Sequence, residues 1–429
     1  MRPPRIVFYG NFGAGNLGNE VTLQTAIEQT RIQLPDARLV CVCTNPEDVR
    51  TRHGIEAVPS LSQDSGWSWS DLGAQSPRDP EPARRGPAGG IARLGRILFR
   101  RVPRELAHWL RMLRLMARSD VLVICGTGIV TDAACGSMSW PYDMFKLTLL
   151  ARLCGRRVLY LSVGAGPFRY RLGSWFIRRG LAMAHYRSYR DVDSRERIED
   201  IGFNTAHDVV CPDLVFGLSQ DHLAEMQPGA ASGRVVALGL KDYATPVDAA
   251  DTKAYRDYLD SMADFVSRLQ TQGHAVRLII GDAQYDTRVR EDLIALLEAR
   301  GALVKAPLLR SDPVPTVAEL LQQLGETDAV VSPRFHNLVL ALLLNKPVIA
   351  LSDLPKVTAL LVDLGLGRFC LDLEGLQADD LSGCFSQLER DADTLKPYIR
   401  DAVDKYRRAV EEQYANVYRS MASERQANR

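Results

Sequence analysis

Asp328-Ala329-Val330-Val331-Ser332-Pro333-Arg334-Phe335-His336-Asn337-Leu338-Val339-Leu340-Ala341-Leu342-Leu343-Leu344 is the stretch from which the fold is read most directly. A short apolar run ends at Ser332-Pro333, and a strongly apolar helical run begins at Leu338. Buried strand, polar turn and buried helix form the repeating unit of a parallel α/β sheet. Arg334 and His336 fall in the turn, beside the helix N-terminus. A helix dipole favours anions there, so it does not explain a guanidinium and an imidazole. Dipole, Arg334 and His336 together make an anion pocket.

The same rhythm runs outward in both directions. Strands are expected at Arg5–Tyr9, Arg38–Cys43, Val121–Cys125, Arg157–Val163 and Tyr186–Tyr189, with helices at Glu20–Gln33, Pro141–Leu153 and Ser194–Ile201. After the small-residue run Pro228–Gly233, strands are expected at Val235–Leu240, Val276–Ile280, Leu303–Lys305, Ala329–Ser332 and Pro347–Leu351. Helices are expected near Ala254–Gln270, Arg288–Arg300, Thr316–Leu324, Leu338–Leu344 and Lys356–Leu364. The chain has 429 residues, more than one core usually serves. Two Rossmann-like α/β lobes with a cleft between them are therefore expected, over residues 1–228 and 234–395. A last helix, Asp393 to Ala422, has Pro397 near its start, and the segment 396–429 is long enough to return to the first lobe.

Composition is that of an ordinary globular protein, with 46% hydrophobic and 24% charged residues. The formal net charge of +1 excludes polyanion binding as a whole-molecule property. None of the eight cysteines forms a Cys-x-x-Cys pair, so buried thiols are expected and no metal site. The apolar run Ile6–Tyr9 is too short for a signal-peptide core, and no run has transmembrane length. A cytoplasmic location is expected.

One region departs from the rhythm. Residues 62–90 are rich in Ser, Pro, Gly and charge and are expected to form a mobile loop. Ile91 to Arg118 follows, with eight arginines against Glu105, interleaved with leucines and Trp109. Pro103 is expected to divide it into two helices. Two readings stand: a lobe helix with a solvated arginine face, or a surface that leans on an anionic membrane at its inner side. No nucleic-acid recognition motif accompanies the charge, so no nucleic-acid partner is expected.

Four further segments end strands with turn chemistry. Gly10 to Glu20 contains Gly13-x-Gly15-x-x-Gly18, but the next strand ends in Cys43-Thr44-Asn45 with no acid for a ribose, so no nicotinamide cofactor is expected. Asn16 and Asn19 there suit a polar ligand or a tight turn. Cys125-Gly126-Thr127-Gly128 leads to Asp132, a candidate proton acceptor or a turn residue. Ser162-Val163-Gly164-Ala165-Gly166 would bring backbone close to a cleft ligand. In Tyr189-Arg190-Asp191-x-x-Ser194, Ser194 or Asp193 is the expected helix cap. Arg190 is either an anion clamp or the partner of Asp191 or Asp213.

Taken in order, these segments resemble the polysaccharide pyruvyl transferase family. The resemblance rests on the opening Gly10 to Glu20, on Gly126 to Asp132, on Arg190-Asp191-x-x-Ser194 with Asp213, and on Arg334-x-His336 running to Pro347, with a weaker match at Pro355-Lys356-Val357. The chain departs from the family pattern at Asn19, at Thr127 and at Ser352-Asp353-Leu354. The resemblance implies a glycosyltransferase B-like fold, with residues 1–228 on the acceptor side and 234–395 on the donor side. It also implies transfer of pyruvate from phosphoenolpyruvate to a sugar of a polysaccharide or lipid-linked oligosaccharide, with ketal formation and phosphate release. Arg190, Arg334, Phe335 and Lys356 would bind the donor, His336 would supply the proton and Asp132 would accept one. Gly13, Asn16, Gly18, Gly126, Gly128 and Gly164 would line the cleft. No metal or resident cofactor is implied; phosphoenolpyruvate is a co-substrate. The alternatives are a nucleotide-sugar glycosyltransferase and a non-catalytic carbohydrate-associated protein on the same fold.

Overall fold

Strands buried on both faces read as unbroken apolar runs, and those runs are the strands of the computed structural model. It describes residues 2–60, 102–133, 135–225, 234–242, 253–282, 285–302, 308–352 and 354–427. Two compact units emerge. The first gathers 1–14, 26–214 and 412–429, and the second 15–25 and 215–411. The loop 62–90, the start of the basic stretch (91–101), the run Pro228–Gly233, the strand expected at Leu303–Lys305 and Asp353 lie outside the described residues.

The first unit holds β1 (Arg5–Tyr9), α1 (Leu17–Gln33), whose part from Ala26 onward belongs here, β2 (Arg38–Cys43), α2 (Pro46–His53) and β3 (Glu56–Pro59). It continues with α3 (Val102–Ala117), β4 (Val121–Ile124), α4 (Trp140–Leu153), β5 (Arg157–Val163), α5 (Arg171–Ala182), β6 (Tyr186–Tyr189), α6 (Val192–Asp200) and β7 (Val209–Val210). The described strands form one parallel sheet in the order β3-β2-β1-β4-β5-β6-β7. The order reverses between β1 and β4, and in such sheets ligands bind beyond the strand ends at the reversal. Pro103 lies in the first turn of α3, where its missing N–H costs little, and the helix expected before it lies outside the described residues.

α3 is tied to α4 by a buried polar cluster. Lys146 is fully buried and its Nζ lies 3.4 Å from both Glu105 and Asp143. It also meets His108 Nδ1 at 3.0 Å. Tyr142 donates to Glu105 at 2.9 Å, and Trp109 donates to Tyr142. Burial pushes the Asp143 carboxyl up to about 6, against the pull of Lys146.

The second unit adds α7 (Gln220–Glu225), β8 (Val235–Leu240), α8 (Lys253–Thr271), β9 (Ala275–Ile280), α9 (Thr287–Ala299), β10 (Leu309–Arg310) and α10 (Val317–Gly325). Then come β11 (Ala329–Ser332), α11 (Phe335–Leu343), β12 (Val348–Leu351), α12 (Pro355–Asp363), β13 (Cys370–Leu371) and α13 (Ala378–Ala427), whose part from Glu412 onward belongs to the first unit. Its sheet is also parallel, in the order β10-β9-β8-β11-β12-β13, and reverses between β8 and β11. α13 corrects the expected last helix. It begins at Ala378, and Pro397 lies in its interior. The residues before Asp393 carry their own buried stripe, Leu381, Phe385 and Leu388, which extends the helix backward. The eight cysteines are all free thiols, with Cys41, Cys43, Cys125, Cys135 and Cys211 buried.

Candidate functional site

The Arg-x-His turn stands at the reversal point of the second sheet. Ser332 ends β11, and its Oγ accepts the Arg334 N–H at 3.1 Å, closing the turn through Pro333. Arg334 is the N-cap residue of α11. Its Nε donates to Asp286 Oδ2 at 2.9 Å, and its Nη2 donates to Asp286 Oδ1. This side-on pair fixes the guanidinium plane and leaves its remaining N–H donors for another acceptor. Asp286 is fully buried and is itself fixed by the backbone N–H groups of Asp242 and Asp282. Tyr258 is buried nearby, its phenol pushed up chiefly by burial and also by Asp286.

His336 packs against Gly18 in the first turn of α1. A Cβ on Gly18 would lie 1.9 Å from His336 Nδ1, so only glycine lets the helix backbone approach the imidazole. Phe335 meets His336 edge to face, with ring centroids 5.2 Å apart. Lys356, from the first turn of α12, lies over the Phe335 ring at 5.7 Å. Asn16 caps α1, its Oδ1 accepting from Asn19 N, while its Nδ2 donates to Asp282 Oδ2 at 2.9 Å. Leu17 N donates to Gly281 O, so the opening segment is stitched onto the end of β9. Asn337 Nδ2 is buried in the same turn and makes no hydrogen bond. The second unit thus brings together Asn16, Gly18, Arg334, Phe335, His336 and Lys356 around the starts of α1, α11 and α12. Positive side chains and helix N-termini converge there, an arrangement that suits a small anion with more than one charged group.

Sequence reasoning missed Asp282 and Asp286. The signal was present in Ile280-Gly281-Asp282 and Tyr285-Asp286, where an apolar strand ends in Gly and acids. Nothing local ties Asp286 to an arginine forty-eight residues on, or Asp282 to Asn16 far upstream.

The remaining candidates belong to the first unit. Arg190 is bound by Asp191 at 3.2 Å and lies 3.8 Å from Asp213, with its side chain largely buried. Gly164 makes room for it, since a Cβ there would meet Arg190 Cζ at 2.5 Å. The cap of α6 is Asp191, which accepts the Ser194 N–H at 2.6 Å, and not Asp193 or Ser194. The Ser194 hydroxyl instead accepts from Ala165 N. Asp132 is fully buried and accepts the backbone N–H groups of Arg169 and Tyr170 at 2.6 and 3.1 Å, anchoring the entry to α5. Gly126 lies against the Ser162 carbonyl, and Gly128 faces open space. Between them, Thr127 Oγ1 is buried without a hydrogen bond. Gly13, in the left-handed region with φ +75°, packs against Asn45. Among the described residues no group of three or more His, Cys, Asp or Glu side chains could hold a metal ion.

Residues 16–353 match the family model described as polysaccharide pyruvyl transferase. The chain belongs to this family. The matched span begins at the Asn16 that caps α1 and contains the whole Arg334–His336 turn. Membership in the polysaccharide pyruvyl transferase family makes the protein an enzyme of the pyruvyltransferase type, acting on a sugar. No curated protein matches the sequence. Among solved structures, UDP-GlcNAc 2-epimerase from Neisseria meningitidis, bound to UDP-GlcNAc, aligns with a TM-score of 0.57 at 10% identity over 98% of this chain and 99% of that one. The Methanocaldococcus jannaschii UDP-GlcNAc 2-epimerase gives 0.53 at 10% identity over 98% and 99%. MurG of Acinetobacter baumannii gives 0.51 at 12% identity over 97% and 100%. These likenesses establish the two-lobed, largely parallel fold of the glycosyltransferase B and epimerase type.

Proposed function

We propose that the enzyme moves pyruvate from phosphoenolpyruvate onto two hydroxyls of one sugar in a polysaccharide or lipid-linked oligosaccharide, forming a ketal and releasing phosphate. The family match over 16–353 carries this reading, because it spans the anion-binding turn. Phosphoenolpyruvate has a carboxylate and a phosphate, and Arg334, aimed by Asp286, grips one of them with paired hydrogen bonds. Lys356 and the N-terminus of α11 serve the other. His336 delivers a proton to the methylene carbon, which becomes the ketal methyl group. One sugar hydroxyl adds to the adjacent carbon and loses its proton. The second hydroxyl then replaces phosphate at that carbon, its proton passing to the departing phosphate, which gives the cyclic ketal and inorganic phosphate. Asp132 takes a positioning part, since both its oxygens already accept backbone hydrogen bonds.

The test is phosphate release from phosphoenolpyruvate in the presence of free and lipid-linked oligosaccharides. Arg334→Ala and His336→Ala are each expected to lower the rate at least about a hundredfold, the scale of losing a charge clamp or positioned acid. Full activity in both variants would sink the site assignment. Release of a nucleoside diphosphate from a nucleotide sugar, with none of phosphate from phosphoenolpyruvate, would make the chain a nucleotide-sugar glycosyltransferase instead.

A further inference from the structure

α3, α4 and α5 form one helical layer of the first unit, α4 packing against both neighbours. α3 buries His108, Met112, Leu115 and Met116. At roughly 100° per residue, Val102, Leu106, Leu110 and Leu113 fall together in one sector outside that face. They are left in solvent, Leu106 59% and Leu110 54% exposed. The adjoining sector carries Arg104, Arg111 and Arg114, all exposed. α5 repeats the arrangement. Tyr170, Leu172 and Trp175 are exposed at its start and outer face, beside Arg171 and Arg179, with Arg179 lying over the Trp175 ring. Two helices of one layer therefore both show apolar side chains and arginines outward.

The layer's charge is one-sided. Across α3, α4 and α5 the acids are Glu105 and Asp143, and both turn inward onto Lys146. The whole chain is nearly neutral, at +1, so this layer concentrates positive charge that is balanced elsewhere. A second copy of the same face would bring arginines against arginines. A nucleic acid would answer the charge but not the exposed leucines. An anionic bilayer answers both: leucine and tryptophan side chains enter the acyl boundary while arginines meet headgroup phosphates.

We propose that the outer face of α3 and α5 docks on an anionic phospholipid bilayer. The experiment is flotation of the full-length protein with phosphatidylcholine vesicles, with and without about 30% phosphatidylglycerol. Binding is expected to the anionic vesicles alone, and to fall at least roughly tenfold in about 0.5 M NaCl. Two variants test the surface: Leu106→Asp with Leu110→Asp, and Arg104→Gln with Arg111→Gln and Arg114→Gln. Each is expected to cut binding at least roughly tenfold while circular dichroism and the melting curve stay unchanged. No flotation at low salt overturns the proposal, as does flotation that both variants leave intact. Self-association lost in the leucine variant, without vesicle binding, would assign the face to a second copy and overturn it equally.

Discussion

At Gly18 a single hydrogen decides where an imidazole can stand. Alanine is a better helix former by about 1 kcal/mol, so Gly18→Ala should not weaken α1 by propensity. Its Cβ would nonetheless occupy the position of the His336 ring. We expect pyruvyl transfer to fall at least about tenfold in Gly18→Ala with little change in melting temperature. A variant of full activity would show that His336 does not need its present position. Asp143 gives a pH prediction. Its folded value of about 6 is raised above the ordinary 3.8, first by burial and further by Glu105. A raised acid contributes stability that is complete below the unfolded value and is lost as pH rises through the folded one. Urea unfolding should therefore show a downward slope between about pH 4 and 6, worth up to about 3 kcal/mol. Asp143→Asn should flatten it, and an unchanged slope would place the titrating group elsewhere. At this scale Arg334 and His336 were legible because they contradict the helix dipole. Asp286 was not, because its meaning comes from a partner distant in sequence. Asp132 was legible as a residue at a strand end, but its two backbone donors appear only in three dimensions.

Elements were legible in proportion to their burial. β1, β2, β5, β6, β8 and β11 have the bounds expected from the sequence. The two-residue strands β7, β10 and β13 carry no periodicity that a sequence could show. α5 was missed because Gly173 and Gly180 interrupt its pattern, although both are there for close packing, Gly173 on Asp132 and Gly180 on Tyr160. The long helix α13 was started too late because Pro397 looks like a beginning. An interior proline removes one backbone hydrogen bond and crowds the preceding turn. Pro397→Ala should raise stability, by up to about 3 kcal/mol, since Leu395 and Ile399 beside it stay buried on the same face. Chemical denaturation measures this, and a loss of stability would mean that the packing of α13 depends on the proline.

On the scale of the molecule, the doubly wound pattern occurs twice, and each sheet reverses order beside strand ends rich in glycine or charge. The repeated βα rhythm made this architecture readable. What it could not reveal is the bookkeeping of chain segments. Residues 15–25, early in sequence, belong to the second unit, and 412–429 return to the first. Local patterns specify elements, whereas the assignment of a segment to a unit is decided by packing across long separations.

The return of 412–429 sets a timetable for synthesis. Gln413, Tyr414 and Tyr418 are buried in the first unit, with Tyr418 bonded to Thr30 and Gln413 to Ser162. These partners leave the ribosome before residues 215–411 of the second unit are translated, and the segment that covers them comes after those residues. At about 5–20 residues per second, the roughly two hundred residues between Leu214 and Glu412 take on the order of 10–40 s. For that interval the nascent first unit holds an unfinished core, which makes it a natural client for chaperones. A premature stop shortly before Glu412 would leave it in that state permanently.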